Sequence, residues 1–85
     1  MFRVIYSAKT LKQLKRIDRR DAGQIVEKIG ELSTNPYALS YKKAKGANCY
    51  ILRVGDYRVI YDVRFEEREV RVLLVGRRDK VYDEL

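Results

Sequence analysis

The chain contains no histidine and a single cysteine, Cys49, and these two scarcities narrow its chemistry. Without histidine it lacks the side chain that ordinarily serves as a general base near neutral pH, and the sequence shows no cluster of metal ligands. A lone cysteine excludes an intramolecular disulfide and fits a reducing compartment. With no histidine to activate it, we interpret Cys49 as a small buried thiol rather than a nucleophile.

Long apolar runs and glycine-rich phosphate loops are also missing. No run approaches the ~20 apolar residues that span a bilayer, and Met1–Tyr6 is too short and too β-like for a signal peptide. No P-loop or dinucleotide-binding spacing occurs. We therefore predict a cytoplasmic protein that binds no membrane, metal or small-molecule cofactor. Its 85 residues predict one domain, residues 1–85, with a single core.

Positive charge is what the chain has in excess. Lysine and arginine total 19 against 12 acidic residues, a formal net charge of +7, while 46% of residues are hydrophobic and 36% are charged. The apolar fraction is enough for a folded core. A small domain this basic indicates a nucleic acid, an acidic protein or an anionic membrane surface as its partner.

The order of periodic segments predicts the fold class. Phe2–Tyr6 alternates like a strand, Ser7 is a helix N-cap, and Asp21 is the predicted N-cap of a second amphipathic helix that ends before Pro36. Residues 37–48 lack a sustained period and are predicted as a basic loop. Strands follow it. We expect an α+β fold with two N-terminal helices packed on one face of a small antiparallel sheet, the other face being open and basic.

The segment Tyr50–Tyr61 is the clearest structural signal. Two β-rich runs flank Gly55-Asp56, which suits a two-residue type II′ turn. Counting outward from this turn sets Arg53 directly opposite Arg58, an arrangement that costs stability unless it has a purpose. Paired guanidinium groups suit the binding of an anion. The alternative is that both arginines extend into water or pair with nearby acids.

A polar turn at Phe65–Arg68 fixes the register of the last strand. Pairing outward from this turn sets Val63 against Val70, Tyr61 against Val72, Ile60 against Leu73, and Arg58 against Val75. With this register Arg77 joins Arg53 and Arg58 on one face, next to Arg78. A slip of one residue would move these side chains to the opposite face.

The side chains that remain suit phosphate chemistry. Arginine binds phosphates and stabilises charge that develops on a phosphoryl group, and RNA carries its own nucleophile, the 2′-hydroxyl. A lysine crowded by other cations can act as a base. Tyr82, in the short C-terminal tail, could either pack against the sheet or stack on a base. These residue types permit RNA cleavage without requiring it.

Three segments together resemble the RelE branch of the RelE/ParE toxin superfamily: Lys43–Gly46, Tyr50–Tyr61 and Val75–Tyr82. The resemblance covers essentially the whole chain and implies a RelE-like, microbial-ribonuclease-like fold. It also implies a type II toxin that acts as a metal-independent mRNA interferase. Such an enzyme cuts mRNA in the ribosomal A site through attack by the 2′-hydroxyl. An acidic, RelB-like antitoxin is the implied partner, beside the ribosome and mRNA.

The resemblance also implies roles for individual residues. Arg58 corresponds to a phosphate-stabilising arginine, Arg78 to an arginine at the scissile phosphate and leaving group, and Tyr82 to a tyrosine that stacks on or orients the nucleotide. Arg53 falls where some members carry a lysine that assists the base. The remaining matches are the RNA-binding positions Lys43, Lys45 and Arg77.

The sequence differs from the family pattern at two positions, and two other functions remain as alternatives. Ile51 stands where some active members have a second lysine, and Arg77 where many have histidine or lysine, so the general base is not identified. One alternative is a ParE-like gyrase inhibitor on the same scaffold. The other is a nucleic-acid-binding module that does not cleave. The sequence specifies neither codon preference nor the stoichiometry with an antitoxin.

Overall fold

The computed structural model describes residues 1–36, 41–43 and 49–84, with the side chains of all of these except 41–43, 82 and 84. In chain order the elements are β1 (Arg3–Tyr6), α1 (Ala8–Lys15), α2 (Arg19–Glu31), β2 (Tyr41–Lys43), β3 (Tyr50–Val54), β4 (Tyr57–Arg64), β5 (Glu69–Arg77) and a 3₁₀ helix at Val81–Glu84. No helix in this described part is long and apolar enough to cross a membrane.

The five strands form one mixed sheet in the order β1-β5-β4-β3-β2. β1 pairs with β5 in parallel, whereas the other neighbours are antiparallel. The predicted α+β class is confirmed, but the sheet is not purely antiparallel. After both helices the chain enters the sheet at the far edge as β2, and the antiparallel run from β2 to β5 then brings β5 beside β1 in the same direction. Strand β2 lies within the stretch predicted as a loop. The other residues of that loop, 37–40 and 44–48, lie outside the described residues.

Both helices begin close to their predicted positions. Ser7 caps α1, and its hydroxyl oxygen accepts a hydrogen bond from the Thr10 backbone N–H, as predicted. The prediction of Asp21 as the second N-cap is wrong, since α2 begins at Arg19 and Asp18 occupies the N-cap position. Asp21 lies instead in the first helical turn, where a carboxylate interacts favourably with the helix dipole.

One face of the sheet carries the main core. The α2 side chains Ile25, Ile29 and Leu32 are completely buried there, together with Val59 and Tyr61 of β4. Phe2, Val4 and Tyr6 join this cluster, which confirms their shared face. The Tyr61 hydroxyl donates to the Pro36 carbonyl at 2.9 Å, so the only polar atom of this buried side chain is satisfied. The helices therefore occupy one side of the sheet, as expected.

A β-bulge divides β5 into two halves with different phases. Val63 pairs with Val70 and Tyr61 with Val72, as predicted, but Ile60 then pairs with Leu74 instead of Leu73. The extra residue, Leu73, shifts every later residue of β5 by one position. Val75 consequently joins the core on the helix face, while Leu74 joins the opposite face. The predicted faces of Leu74 and Val75, and with them that of Arg77, are wrong.

Helix α1 covers the edge of β5 where β1 ends. The Thr10 hydroxyl, completely buried, donates to the Val72 carbonyl at 3.2 Å. The Ser7 hydroxyl donates to the Leu73 carbonyl at 3.0 Å, and the Gln13 side-chain oxygen accepts from Val75 N–H at 2.8 Å. Polar side chains of α1 thus replace a neighbouring strand at the bulge, where backbone groups would otherwise lack partners.

The second face of the sheet is apolar at its centre. Ile51, Ile60 and Leu74 are buried there with Cys49 and with Val81 of the C-terminal 3₁₀ helix. A Cβ added to Gly76 would lie 3.5 Å from the Val81 Cβ, an ordinary van der Waals separation, so the C-terminal turn packs directly against β5 at this position. The expectation of an open face does not hold at this centre, and the exposed arginines Arg53 and Arg64 lie toward its two ends.

Glu69 of β5 forms ion pairs with two arginines, one on β1 and one on β5. Its buried carboxylate pairs with Arg3 and, at 3.0 Å, with Arg71. Replacing Glu69 by glutamine is expected to lower the free energy of unfolding by about 1–2 kcal/mol, because the charge-assisted bonds weaken while both arginines can still reach water. Urea denaturation measures this loss. The matched change Glu66→Gln, at an exposed turn position, is expected to alter stability by less than ~0.5 kcal/mol; equal midpoints for the two variants would contradict the role of Glu69.

Candidate functional site

Four arginines lie at the end of the sheet near the β3–β4 turn: Arg53 of β3, Arg58 of β4, Arg77 at the end of β5, and Arg78 directly after it. Arg53 pairs with Arg58 across β3 and β4, which confirms the predicted hairpin register. Gly76 is the neighbour of Arg58 on β5. Paired residues on adjacent strands have Cβ atoms about 5 Å apart, so the Arg53 and Arg58 side chains begin close together. Positive charge is therefore concentrated at this end of the sheet.

The β3–β4 turn has the predicted geometry. Gly55 adopts φ +58°. Among the described residues other than glycine, Arg68 alone has a positive φ. Asp56 therefore lacks the second positive φ that a type I′ turn requires, which leaves the predicted type II′ turn. This turn fixes the relative position of the last residues of β3 and the first residues of β4.

Arg58 is buried and bonded to the turn that precedes it. Only 7% of the residue is exposed, and its Nη1 donates to the carbonyls of Gly55 and Tyr57, both at 2.8 Å. Among the described residues no carboxylate forms an ion pair with it. Neither part of the alternative interpretation, extension into water or pairing with an acid, holds for Arg58, whose charge remains unneutralised by these residues.

The other nitrogens of Arg58 keep contact with solvent. The part of the chain that the structure describes contains no buried side-chain nitrogen or oxygen without a hydrogen-bond partner. Since Nε and Nη2 of Arg58 have no partner there, they cannot be fully enclosed. A guanidinium group presents five N–H donors in a rigid fork. One nitrogen is therefore anchored, and Nε and Nη2 are the donors that remain for a phosphate.

Arg53 and Arg78 complete the accessible positive charge on this side. Both are exposed, and the backbone N–H of Arg78 donates to the Asp56 carbonyl at 2.9 Å. This bond fastens the residue that follows β5 to the β3–β4 turn. Arg53 and Arg78 thus lie on either side of the strand that carries Arg58, and all three predicted arginines are at one end of the sheet.

Arg77 lies apart from these three. Because of the bulge it pairs with Tyr57 and lines a cavity of about 230 Å³ beside α2, together with Asp21, Ile25 and Val54. Its Nε is 3.9 Å from a carboxylate oxygen of Asp79. The prediction that Arg77 shares a face with Arg53 and Arg58 is therefore wrong.

For the remaining predicted site residues, the structure describes the backbone at most. Tyr82 belongs to the C-terminal 3₁₀ helix and Lys43 is the last residue of β2, but their side chains lie outside the described part. Lys45 lies outside the described residues altogether. Their roles stay predictions.

The described residues contain neither an exposed thiol nor a group of metal ligands. Cys49 is 5% exposed, and burial, with a smaller contribution from the charge of Asp62, raises the pKa of its thiol. A raised pKa keeps the thiol neutral and unreactive at neutral pH. The described residues include no group of three or more potential metal ligands.

Two features of the site have no direct signal in the sequence. The turn carbonyls that hold Arg58 belong to the backbone, which residue types do not reveal. Val81, 1% exposed, is an isolated apolar residue between Lys80 and Tyr82, so no periodicity marks it. Gly76 followed five residues later by an apolar residue is the one available hint, because a strand glycine often marks a close approach.

Comparison with known proteins finds a matching family model and a similar protein, both described as toxins. The family model described as the ParE toxin of type II toxin-antitoxin systems, parDE, matches residues 4–82. A protein of Methanocaldococcus jannaschii, named as a candidate toxin RelE1, is 31% identical over 85 residues, covering 95% of this chain and 94% of the relative.

Solved structures share the fold. A chain of the toxin-antitoxin complex RelBE2 from Mycobacterium tuberculosis matches with a TM-score of 0.82 at 26% identity, over 91% of this chain and 98% of that one. The isolated RelE toxin of Escherichia coli matches with a TM-score of 0.79 at 26% identity, over 99% and 94%. In both comparisons the similarity thus extends over more than nine-tenths of this chain and of the compared chain.

Proposed function

This chain belongs to the RelE/ParE superfamily of type II toxin-antitoxin toxins, and from this premise we propose that it is an endoribonuclease that cuts ribosome-bound mRNA. Its substrate is mRNA in the ribosomal A site, and its nucleophile is the 2′-hydroxyl of the RNA itself. No metal or cofactor is needed for this reaction. The protein contributes the orientation of the RNA and the stabilisation of charge on the phosphorus.

The observation that carries the proposal is the group of Arg53, Arg58 and Arg78 at one end of the sheet. The three residues come from β3, β4 and the segment after β5, and within the described residues no carboxylate forms an ion pair with them. Negative charge grows on the phosphate oxygens as the 2′-hydroxyl attacks. Fixed, unneutralised guanidinium groups stabilise that charge more than they stabilise the resting phosphodiester.

Each residue has a distinct proposed role. Arg58, anchored through Nη1, stabilises the oxygens of the reacting phosphate, and the exposed Arg78 stabilises the leaving 5′-oxygen. Arg53 adds charge beside Arg58 and lowers the pKa of the attacking hydroxyl, while Tyr82 stacks on the nucleotide. The proposed RNA-binding residues outside this group are Lys43, Lys45 and Arg77, the last from the helix side of the sheet.

An acidic antitoxin is the proposed protein partner. One of the structural matches is to a chain from a complex of a toxin with its antitoxin, and a net charge of +7 favours association with an acidic protein. Ribosome and mRNA are the other partners, which implies a cytoplasmic location. The stoichiometry of the antitoxin complex is not part of the proposal.

Two linked assays test the proposed function. Primer extension on mRNA from cells that express the chain alone is expected to reveal new 5′ ends within codons. The purified chain is expected to cut the same mRNA on ribosomes programmed with a codon in the A site, and to leave free mRNA intact. Binding to RNA with steep salt dependence and no cleavage would instead indicate the non-catalytic module.

The description of the matching family model favours a second candidate function. That model is named for the ParE toxin, so a ParE-like inhibitor of gyrase on the same scaffold is the competing proposal. It predicts induction of the SOS response and loss of supercoiling without new mRNA ends. The two functions are therefore separated by the readouts of a single expression experiment.

A further inference from the structure

The turn between β3 and β4 holds two arginines through three consecutive backbone carbonyls. The Gly55 and Tyr57 carbonyls each accept a hydrogen bond from Arg58 Nη1 at 2.8 Å. The carbonyl between them, that of Asp56, accepts from the backbone N–H of Arg78 at 2.9 Å. All three acceptors belong to the same two-residue turn and the residue that follows it, so the conformation of the turn sets the place of the Arg58 guanidinium and of the Arg78 backbone.

This arrangement fixes a side chain that is otherwise among the most flexible. A free arginine loses considerable rotamer entropy when it binds a ligand, whereas Arg58 has been ordered by the two carbonyl bonds before any ligand arrives. Nη1 is occupied by the turn carbonyls, and Nε and Nη2 are the donors left to bind a phosphate in two places. Donors that are fixed in advance need no reorganisation when charge develops in a transition state.

We propose that Gly55 is a positioning residue: its backbone conformation aims the turn carbonyls that hold the Arg58 guanidinium toward the reacting phosphate and anchor the backbone of Arg78 beside it, an inference that rests on the proposed ribonuclease function. Gly55 has φ +58°, a conformation that L side chains rarely adopt. A Cβ added there meets no heavy atom within 4 Å. Any effect of Gly55→Ala therefore comes from the backbone conformation and not from a steric clash.

The chain offers a matched control for lost stability. Gly23 and Gly30 are exposed positions of α2 where an added Cβ also meets nothing within 4 Å. Alanine stabilises a helix relative to glycine, so Gly23→Ala with Gly30→Ala is expected to raise the melting temperature and leave cleavage unchanged. The same pair added to Gly55→Ala gives a triple variant whose melting temperature is matched to that of the wild-type chain.

Two measurements on the wild-type chain and the triple variant test the inference. With programmed ribosomes, we expect kcat of the triple variant to fall about tenfold or more while KM changes less than about threefold, since the RNA-binding surface is intact. In ¹⁵N spectra of arginine side chains, restricted rotation about the Cζ–Nη1 bond is expected to give Arg58 resolved Nη protons, beside any signals from Arg3 and Arg71, which pair with Glu69. Arg58→Lys assigns the Arg58 signal by removing it, and the triple variant is expected to lose it.

The outcomes separate this inference from the proposed function. A triple variant that melts like the wild-type chain and keeps either the wild-type kcat or the resolved Nη signal of Arg58 overturns the role of Gly55. Failure of the wild-type chain to cut mRNA on ribosomes overturns the proposed function and with it the catalytic meaning of the turn. The spectra still decide whether Gly55 positions Arg58.

Discussion

Replacing Arg58 by alanine is expected to slow mRNA cleavage on the ribosome by a factor of about 10² to 10³. The guanidinium is held at two carbonyls and presents its remaining donors to solvent, so its loss removes a fixed charge where the phosphate becomes more negative. Arg78→Ala removes an exposed side chain and is expected to reduce cleavage to a similar degree. Growth arrest on expression without an antitoxin should be relieved by both changes. Single-turnover cleavage of A-site mRNA measures the effect directly.

Folding and chemistry can be separated in this experiment. Arg58 is largely buried, so Arg58→Ala also leaves a gap; Arg58→Lys keeps the charge and tests whether the fork of a guanidinium is needed. Arg64 is the control, because it lies at the far end of the same strand, is exposed and pairs with Asp62 at 2.8 Å. Arg64→Ala should leave cleavage unchanged. Full toxicity of both Arg58→Ala and Arg78→Ala would refute the assignment of the site.

Replacing Val81 by aspartate is expected to lower the free energy of unfolding by about 2–3 kcal/mol. Val81 is 1% exposed and covers Ile60 and Leu74 on the second face of the sheet. A carboxylate at this position has no buried partner among the described residues, so the C-terminal 3₁₀ helix is expected to leave the sheet. Because small domains have only about 5–15 kcal/mol of net stability, the change should be plain in urea denaturation followed by circular dichroism.

The neighbouring exposed residue Asp83 supplies the control for Val81. Asp83→Ala, in the same 3₁₀ helix, is expected to shift the unfolding free energy by less than ~0.5 kcal/mol. Binding of a hydrophobic dye should increase for Val81→Asp alone, as Ile60 and Leu74 become exposed. If the two variants unfold at the same urea concentration, the C-terminal turn does not stabilise the fold.

The hairpin shows how far local sequence reasoning extends. A glycine at the first turn position, flanked by alternating strands, is enough to set the register that pairs Arg53 with Arg58, because neighbouring strands joined by a two-residue turn have no freedom to slide. The Ser7 cap and the predicted pairs of β4 with β5 before the bulge, Val63 with Val70 and Tyr61 with Val72, follow equally local rules. Membership of the superfamily was indicated by the same short segments.

The face of Arg77 shows where that reasoning stops. Val72, Leu73, Leu74 and Val75 are all apolar, so no alternation marks the point at which the phase of β5 changes. The bulge is stabilised by Ser7, Thr10 and Gln13 of the first helix and its cap, 62 to 66 residues away in the sequence. Local pattern carries no information about such partners.

The sequence by itself determined the excess of positive charge, the α+β class, the pairing of Arg53 with Arg58 and the family, because each depends on composition or on residues close together in the chain. The tertiary structure decided the parallel pairing of β1, the bulge at Leu73, the cover that Val81 provides and the carbonyls that hold Arg58. These features depend on which distant backbone and side-chain groups satisfy one another after folding. That choice follows from hydrogen bonding and burial across the whole molecule.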